Sequence, residues 1–196
     1  LPKSVYQVLS SEIPAVEAIR SVDVVNLDLL PANPNLVGAE IELATAVSRE
    51  QRLSRALAPI VGDYDLILVD CPPALGLLTV NALVFARELL VPIQCEYYAL
   101  EGLLQLVGTV DQVRAELNPE LVISRIVLVM YDARTNLSEQ VAGEVRAHYG
   151  ERVCAQVIPR SVRLSEAPSY GKPITMFDPT SRGALAYREL AKEVLI

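Results

Sequence analysis

The sequence predicts a doubly wound α/β fold, in which a mostly parallel sheet is flanked by helices. Short runs rich in Val, Ile and Leu recur along the chain with little polar alternation, which is typical of strands covered on both faces. Amphipathic helical patterns lie between these runs. The 196 residues, 52% of them hydrophobic, suffice for one well-buried domain. We therefore expect a single domain over residues 1–196.

The predicted elements alternate along the chain. Two small helix-like segments come first, at 4–9 and around 15–20. The predicted strands are 24–30, 66–70, 89–93, 126–130 and 153–158. The predicted helices are 39–58, 77–87, 100–117, 137–148 and 183–195. This alternation of strand and helix favours a sheet of parallel strands with helices on its faces.

The chain lacks the element with which doubly wound nucleotide-binding sheets usually begin, a strand, a Gly-rich turn and a helix. Its nine glycines form neither G-x-x-x-x-G-K-[ST] nor G-x-G-x-x-G. We therefore expect an N-terminally truncated sheet, without its first strands and phosphate-binding loop.

The clearest functional signal is the run from Tyr64 to Pro73. Residues 66–69 are apolar and predict a central strand, and Asp70 follows at its carboxyl end. Open α/β sheets bind ligands at that edge, where a carboxylate can hold Mg²⁺, usually through water. Pro72-Pro73 stiffens the turn that follows. The residues alone leave a second reading open, in which Asp70 only caps this turn.

Composition limits the class of protein. No apolar run approaches the roughly 18–20 residues of a membrane span, and the N-terminus lacks a signal pattern. We therefore expect a soluble, cytoplasmic protein with no membrane contact. Three widely spaced cysteines without a C-x-x-C pair favour buried thiols over disulfides. The lone His148 does not favour a zinc site.

Charge is distributed unevenly. Residues 1–133 carry a net charge of −9 and residues 134–196 a net charge of +2. A locally basic C-terminal third on an acidic body is typical of a protein with one surface that faces a polyanion. Chance scatter of surface charge is the alternative.

Several motifs resemble the ParA/Soj partition ATPases. The run Asp-Cys-Pro-Pro-Ala-Leu-Gly-Leu-Leu-Thr-Val-Asn-Ala-Leu, residues 70–83, is similar to the Walker B and switch II segment of that family. Matching stretches follow the family's order at 26–32, 38–43, 92–102, 132–137 and 158–168. They cover nearly the whole chain, which is identified as a member of this deviant Walker A group.

The resemblance implies an ATPase that uses ATP and Mg²⁺ and dimerises with ATP between its subunits. Asp70 would be the catalytic carboxylate and would help to hold Mg²⁺ through water. The family's signature lysine and switch I aspartate would lie upstream of Leu1. We therefore expect the 196-residue chain to be inactive alone.

The resemblance also implies an adenine pocket in the C-terminal part of the sequence. Pro159 would supply an apolar wall, Ser161 a hydrogen bond, and Met130 part of the same pocket. The residues alone favour a strand terminator at Pro159 and core packing at Met130.

Arginines of the C-terminal third are the candidates for DNA contacts. Arg160 and Arg163 lie three apart in a run without acidic residues from Arg152 through Ser165. With Arg134 and Arg182, and with Lys172 and Arg188, they could contact phosphates without sequence specificity. Solvated arginines paired with nearby glutamates are the alternative.

The leading interpretation is a nucleoid-associated homodimer that binds non-specific DNA and is stimulated by a ParB-type centromere-binding protein. One alternative is a MinD-like ATPase of the division site, which relies on a basic amphipathic C-terminal helix at the membrane. Here Glu189 and Glu193 lie in the corresponding C-terminal segment, and their negative charge argues against this alternative. The other alternative is a truncated, non-catalytic dimerisation or partner-binding module.

Overall fold

The computed structural model of the chain describes residues 3–195, which form helices and a parallel strand pair. These residues fall into two compact units. The N-terminal unit comprises 3–87 and 109–121, and the C-terminal unit comprises 88–108 and 122–195. The expectation of a single domain stays a prediction.

The N-terminal unit is mainly helical. Its helices are α1 (Val5–Leu9), α2 (Leu36–Leu43), α3 (Arg52–Leu57) and α4 (Leu77–Phe85). Two-residue strands β1 (Arg20–Ser21) and β2 (Asp28–Leu29) pair antiparallel, and 3₁₀ turns lie at Ala15–Glu17, Arg49–Gln51 and Val61–Asp63. The core of this unit is formed by buried side chains of all four helices and the first 3₁₀ turn, among them Val8, Ala15, Leu43, Leu57 and Ala82.

One buried amide ties the helices of this unit together. Asn81 of α4 is 1% exposed, and its Oδ1 accepts from the backbone N–H of Leu53 at 3.1 Å. Its Nδ2 donates to the carbonyls of Arg49 at 2.8 Å and Leu77 at 2.9 Å. Because every donor and acceptor finds a partner, this polar group is tolerated inside an apolar core.

The C-terminal unit contains the parallel sheet. Strand β3 (Glu88–Gln94) pairs in parallel with β4 (Val122–Val129). Its helices are α5 (Ala99–Glu116), shared with the N-terminal unit, α6 (Asn136–Tyr149), α7 (Val162–Glu166), α8 (Ile174–Phe177) and α9 (Arg182–Val194). Short 3₁₀ turns lie at Gly150–Arg152 and Ala167–Tyr170.

Caps and burial explain where these elements form. The Thr135 hydroxyl accepts from the N–H of Ser138 and begins α6, and the Ser181 hydroxyl accepts from the N–H of Ala184 and begins α9. In β4, Ile126 and Leu128 are 0% exposed. Burial of each contributes about 1.5–3 kcal/mol, which stabilises β4 at the centre of the unit.

Two predicted strands are largely wrong. Residues 24–30 form a turn, because Asn26 adopts a left-handed conformation with φ 58° and only Asp28–Leu29 pairs. Residues 66–70 form no strand, and no strand among residues 3–195 hydrogen-bonds to them. Leu66 and Leu68 are consequently 54% and 76% exposed.

The predicted strand 153–158 runs parallel to β4 through two isolated bridges, Ile126↔Val153 and Tyr131↔Pro159. A regular ladder does not form because the Glu193 carboxylate of α9 accepts from the backbone N–H groups of Ala155 and Gln156, both at 2.8 Å. A side chain thus takes the place of a neighbouring strand.

Most helix predictions are confirmed within one or two residues, namely 4–9, 77–87, 100–117, 137–148 and 183–195. The segment around 15–20 contains only the short 3₁₀ turn Ala15–Glu17, and Arg20 lies in β1. The predicted helix 39–58 breaks into α2 and α3 because Ser48 lies in the left-handed region with φ 51°. The cysteine prediction is confirmed for Cys95 and Cys154, which are buried, and wrong for Cys71, which is exposed.

Candidate functional site

Asp70 lies in the N-terminal unit at the end of the unpaired run 66–70, and it is exposed. No hydrogen bond or ion pair within residues 3–195 engages its carboxylate, so both oxygens are available to a ligand. Partial desolvation of the sulfur, and then the charge of Asp70, raise the pKa of the neighbouring Cys71 thiol. A raised pKa disfavours the thiolate, which is the form of cysteine that binds metal ions.

The loop after Asp70 is fixed at its far end. The Thr79 hydroxyl donates to the Ala74 carbonyl at 2.5 Å, and the Leu78 N–H donates to Glu40 Oε1 at 3.3 Å. Glu40 also packs against Gly76, where an added Cβ would lie 2.0 Å from Glu40 Oε1. A carboxylate at the first turn of α4 stabilises the helix dipole, so Glu40 positions the turn between Asp70 and α4. Sequence reasoning did not assign Glu40 a role.

In the C-terminal unit, Met130 and Pro159 lie at the same edge. The Tyr131 N–H donates to the Ile158 carbonyl at 3.1 Å, and the Arg160 N–H donates to the Tyr131 carbonyl at 2.9 Å. Met130 has φ 54°, a left-handed conformation that is uncommon for residues other than glycine. A non-glycine residue in this conformation costs free energy and persists only where the surrounding structure stabilises it. Such residues are common at ligand sites.

Ser161 follows this edge directly. It is the N-cap residue of α7, yet its hydroxyl makes no capping bond and has no other partner in the described chain. The hydroxyl is therefore free to bond a ligand. Nearby, Pro159 and Arg182 line one cavity of about 320 Å³, together with Gln156, Leu185 and Glu189.

The four arginines that were predicted to contact DNA phosphates differ in their surroundings. Arg160 and Arg182 are exposed, and within residues 3–195 their guanidinium groups make no hydrogen bond or ion pair, although the charge of Arg160 acts on Asp132. Arg134 donates from Nε and Nη2 to both carboxylate oxygens of Asp132, at 2.9 and 2.7 Å. This pairing holds the pKa of Asp132 well below its usual range and raises that of Arg134.

Arg163 is held by two carboxylates. It donates from Nε to Asp178 at 2.8 Å and from Nη1 to Glu166 at 2.9 Å, and it lies 4.6 Å from the centre of the Phe177 ring. Sequence reasoning missed Asp178, because the run 152–165 contains no acid and Asp178 lies 15 residues from Arg163. The proximity of Glu166 was visible as an i,i+3 pair.

The described residues contain neither a cluster of metal ligands nor a membrane-spanning helix. No group of three or more His, Cys, Asp or Glu side chains there could hold a metal ion. Any Mg²⁺ at Asp70 would therefore take most of its ligands from water and phosphate oxygens, which is the usual coordination of this ion. None of the described helices has the length and hydropathy needed to cross a membrane.

Similarity to known proteins agrees with these features. A family model described as an AAA domain matches residues 1–123. The sporulation initiation inhibitor protein Soj of Bacillus subtilis (strain 168) is 53% identical over 190 residues, which are 97% of this chain and 75% of the relative. The chromosome-partitioning ATPase Soj of Thermus thermophilus is 50% identical over 195 residues, which are 98% of this chain and 74% of the relative.

A solved structure matches the whole chain. Cobyrinic acid a,c-diamide synthase from Mycobacterium smegmatis, solved with an ATP analog and magnesium, has a TM-score of 0.83 at 38% identity. The match covers 100% of this chain and 72% of that protein. The predicted α/β class is thereby confirmed, and it is the fold of P-loop NTPases of the ParA/MinD type. The chain belongs to the ParA/Soj family of chromosome-partitioning ATPases.

Proposed function

We propose that this chain forms most of a partition ATPase that hydrolyses ATP with Mg²⁺, and that Asp70 is its metal-positioning carboxylate. The observation that carries the proposal is the free Asp70 carboxylate in a turn whose sequence the family shares. A solved relative binds an ATP analog and magnesium. One carboxylate fits an ion that keeps most of its water shell and binds phosphate oxygens.

The adenine pocket that we propose is formed by Met130, Pro159 and Ser161. The bonds between Tyr131 and the 158–160 segment support it, because they fix Pro159 beside the turn that contains Met130. The unpartnered Ser161 hydroxyl supplies a hydrogen-bonding group next to an apolar wall. A flat base between a proline ring and a thioether is contacted on both faces.

In the same proposal, the ATP-bound protein is a homodimer that binds DNA through Arg134, Arg160, Arg163 and Arg182, and a ParB-type partner stimulates hydrolysis. The DNA would place the protein on the nucleoid. Within residues 3–195, the guanidinium groups of Arg160 and Arg182 make no hydrogen bond or ion pair, and those of Arg134 and Arg163 are held at the surface by carboxylates. Such contacts neutralise phosphates without reading bases, so the affinity falls steeply with salt.

The test compares two proteins. The first is the 196-residue chain, which lacks a phosphate-binding motif. The second is the upstream-extended protein, encoded when the reading frame is continued upstream of Leu1. We expect Mg²⁺-dependent ATP hydrolysis and ATP-dependent DNA binding from the second protein alone. Turnover by the first, or no turnover by the second even with DNA and the partner present, would refute the proposal.

A further inference from the structure

A cleft of about 580 Å³ opens in the N-terminal unit, away from every residue assigned above. Its apolar wall includes Val8, Ile13 and Ala56, and its polar wall includes Ser11, Arg52 and Arg55. The volume lies within the range of about 300–1,000 Å³ that small-molecule sites occupy.

Arg52 presents an incompletely used guanidinium to this cleft. Its Nη1 donates to Ser11 Oγ at 3.0 Å, whereas its Nε is buried and has no partner within the described chain. Within residues 3–195, its Nη2 makes no hydrogen bond and Arg52 forms no ion pair. The edge formed by Nε and Nη2 therefore carries two donors without an acceptor. Because arginine keeps its charge in a protein, an oxygen ligand at this edge would satisfy both donors.

Arg55 adds a second cation without a carboxylate. Its Nη2 donates to Ser48 Oγ and Gln51 Oε1, both at 3.1 Å. Ser11 and Ser48 both lie in the left-handed region, with φ 64° and 51°, and each hydroxyl accepts from one of the two arginines. These two strained turns thus hold the guanidinium groups in place.

The cleft is cationic in an acidic protein. Its lining contains the two arginines and one acid, Glu12, whose Oε1 already accepts from the Ser10 hydroxyl at 3.0 Å. The formal charge of the lining is therefore +1, whereas the chain as a whole carries −7. An anion is attracted to this cleft and repelled by much of the remaining surface.

We propose that this cleft is a binding site for a small organic anion, namely a carboxylate or phosphate group on an apolar body. The oxyanion would bind the free donors of Arg52, since a guanidinium edge matches two oxygens in one plane. The apolar body would lie against Val8, Ile13 and Ala56. This site is separate from the residues proposed above for nucleotide and DNA.

The test uses the full 196-residue chain with ¹⁵N-labelled arginine and follows the Nε–Hε signals by NMR. The probes are hexanoate, hexyl phosphate, inorganic phosphate and 1-hexanol. We expect the Arg52 signal to shift saturably with hexanoate or hexyl phosphate, and the affinity for phosphate and for hexanol to be at least about tenfold weaker. Whichever of hexanoate and hexyl phosphate binds with the higher affinity shows whether the site prefers a carboxylate or a phosphate head group.

Variants separate this site from adventitious binding. We expect Arg52→Gln and Arg55→Gln each to weaken binding of the better anion by about tenfold or more. The matched control is Arg87→Gln, which removes an exposed arginine of the same unit outside the cleft and leaves the affinity unchanged. Circular dichroism establishes that each variant is folded. If Arg52→Gln does not fold, the proposal is tested by the affinity of Arg55→Gln, a change at an exposed residue, and by the wild-type titration.

Three results would overturn the proposal. The first is the absence of a saturable shift with either amphiphilic anion. The second is binding of hexanol as tight as that of hexanoate. The third is an equal loss of affinity in Arg87→Gln and Arg55→Gln, which would indicate attraction by overall charge rather than by the cleft.

Discussion

Arg163 Nε donates to Asp178 Oδ2 at 2.8 Å and thereby joins helix α7 to the residue that follows helix α8. The hydrogen bond to Asp178, and then that to Glu166, raise the pKa of Arg163, and the same contact lowers the pKa of Asp178. The arginine proposed to bind DNA is therefore already engaged by carboxylates. A DNA phosphate must replace or share these contacts.

This competition predicts opposite effects of two substitutions in the ATP-bound, upstream-extended protein. Arg163→Ala removes one phosphate contact, and we expect the slope of log affinity against log salt to become shallower by about 1 per subunit. Asp178→Asn removes a competing negative charge, and we expect DNA affinity at low salt to rise by about two- to fivefold. Fluorescence anisotropy of a labelled duplex over a salt series measures both.

Lys192→Ala is the matched control for charge. Lys192 pairs with Glu189 on α9 at 2.7 Å, and it is not among the residues proposed to bind DNA. It should leave the slope unchanged. Equal slopes for the wild type and Arg163→Ala would remove Arg163 from the DNA surface.

Asp70→Asn should abolish most hydrolysis in the upstream-extended protein, with a loss of at least about 100-fold, because the metal loses a charged ligand. In the 196-residue chain, this change should alter the free energy of unfolding by less than about 0.5 kcal/mol, since the carboxylate is exposed and makes no hydrogen bond or ion pair within residues 3–195. Steady-state phosphate release and urea unfolding provide the two measurements. Asp65→Asn, an exposed carboxylate five residues earlier, should change neither.

The stability of the chain should depend on pH through Asp178. Its pKa is lowered in the folded state, first by the hydrogen bond from Arg163. A carboxyl group of this kind stabilises the fold above its unfolded pKa of about 3.9, and that contribution is lost as the pH falls through the lower folded pKa. From about pH 5 to pH 3, we therefore expect the urea midpoint of the wild type to fall more steeply than that of Asp178→Asn.

The control for this pH dependence is Asp63→Asn, an exposed aspartate in a 3₁₀ turn of the N-terminal unit. It should keep the wild-type profile. Parallel profiles for wild type and Asp178→Asn would show that the bond with Arg163 does not persist in solution.

Asn81→Leu should destabilise the 196-residue chain by roughly 2–4 kcal/mol. The change leaves the N–H of Leu53 without its acceptor and removes the donor to two carbonyls inside the core. Thermal and urea unfolding measure the loss. Asn35→Ala, at an exposed position whose side chain does not cap α2, should change the stability by less than about 0.5 kcal/mol.

Elements whose partners lie nearby in the sequence were the most predictable. Helix α6 follows from its amphipathic pattern, and β3 and β4 follow from their apolar runs. The segment 66–70 is rich in Leu, Ile and Val, as β4 is, yet a strand also requires a hydrogen-bonding neighbour, and composition does not encode one. The segment 153–158 does lie beside β4, but its Gln156 N–H bonds the Glu193 side chain, 37 residues away along the chain.

The residues of the candidate site also differ in whether the sequence predicts them. Asp70 and Pro159 could be found because each follows an apolar run. The partners of Arg163, the left-handed conformation of Met130 and the contact of Glu40 with Leu78 depend on folding of distant segments, and no local pattern indicates them. The predicted roles of the site residues stay predictions.

The unpaired run 66–70 has a consequence for how this chain behaves in concentrated solution. Leu66 and Leu68 are both exposed, and within residues 3–195 the backbone of this run has no strand partner. Such an edge is a template for pairing with a second molecule, which leads to aggregation as the concentration rises. Asp65 and Asp70 flank the run and act as gatekeepers through charge repulsion. A lysine at position 68 would extend that protection into its middle and keep the chain dispersed.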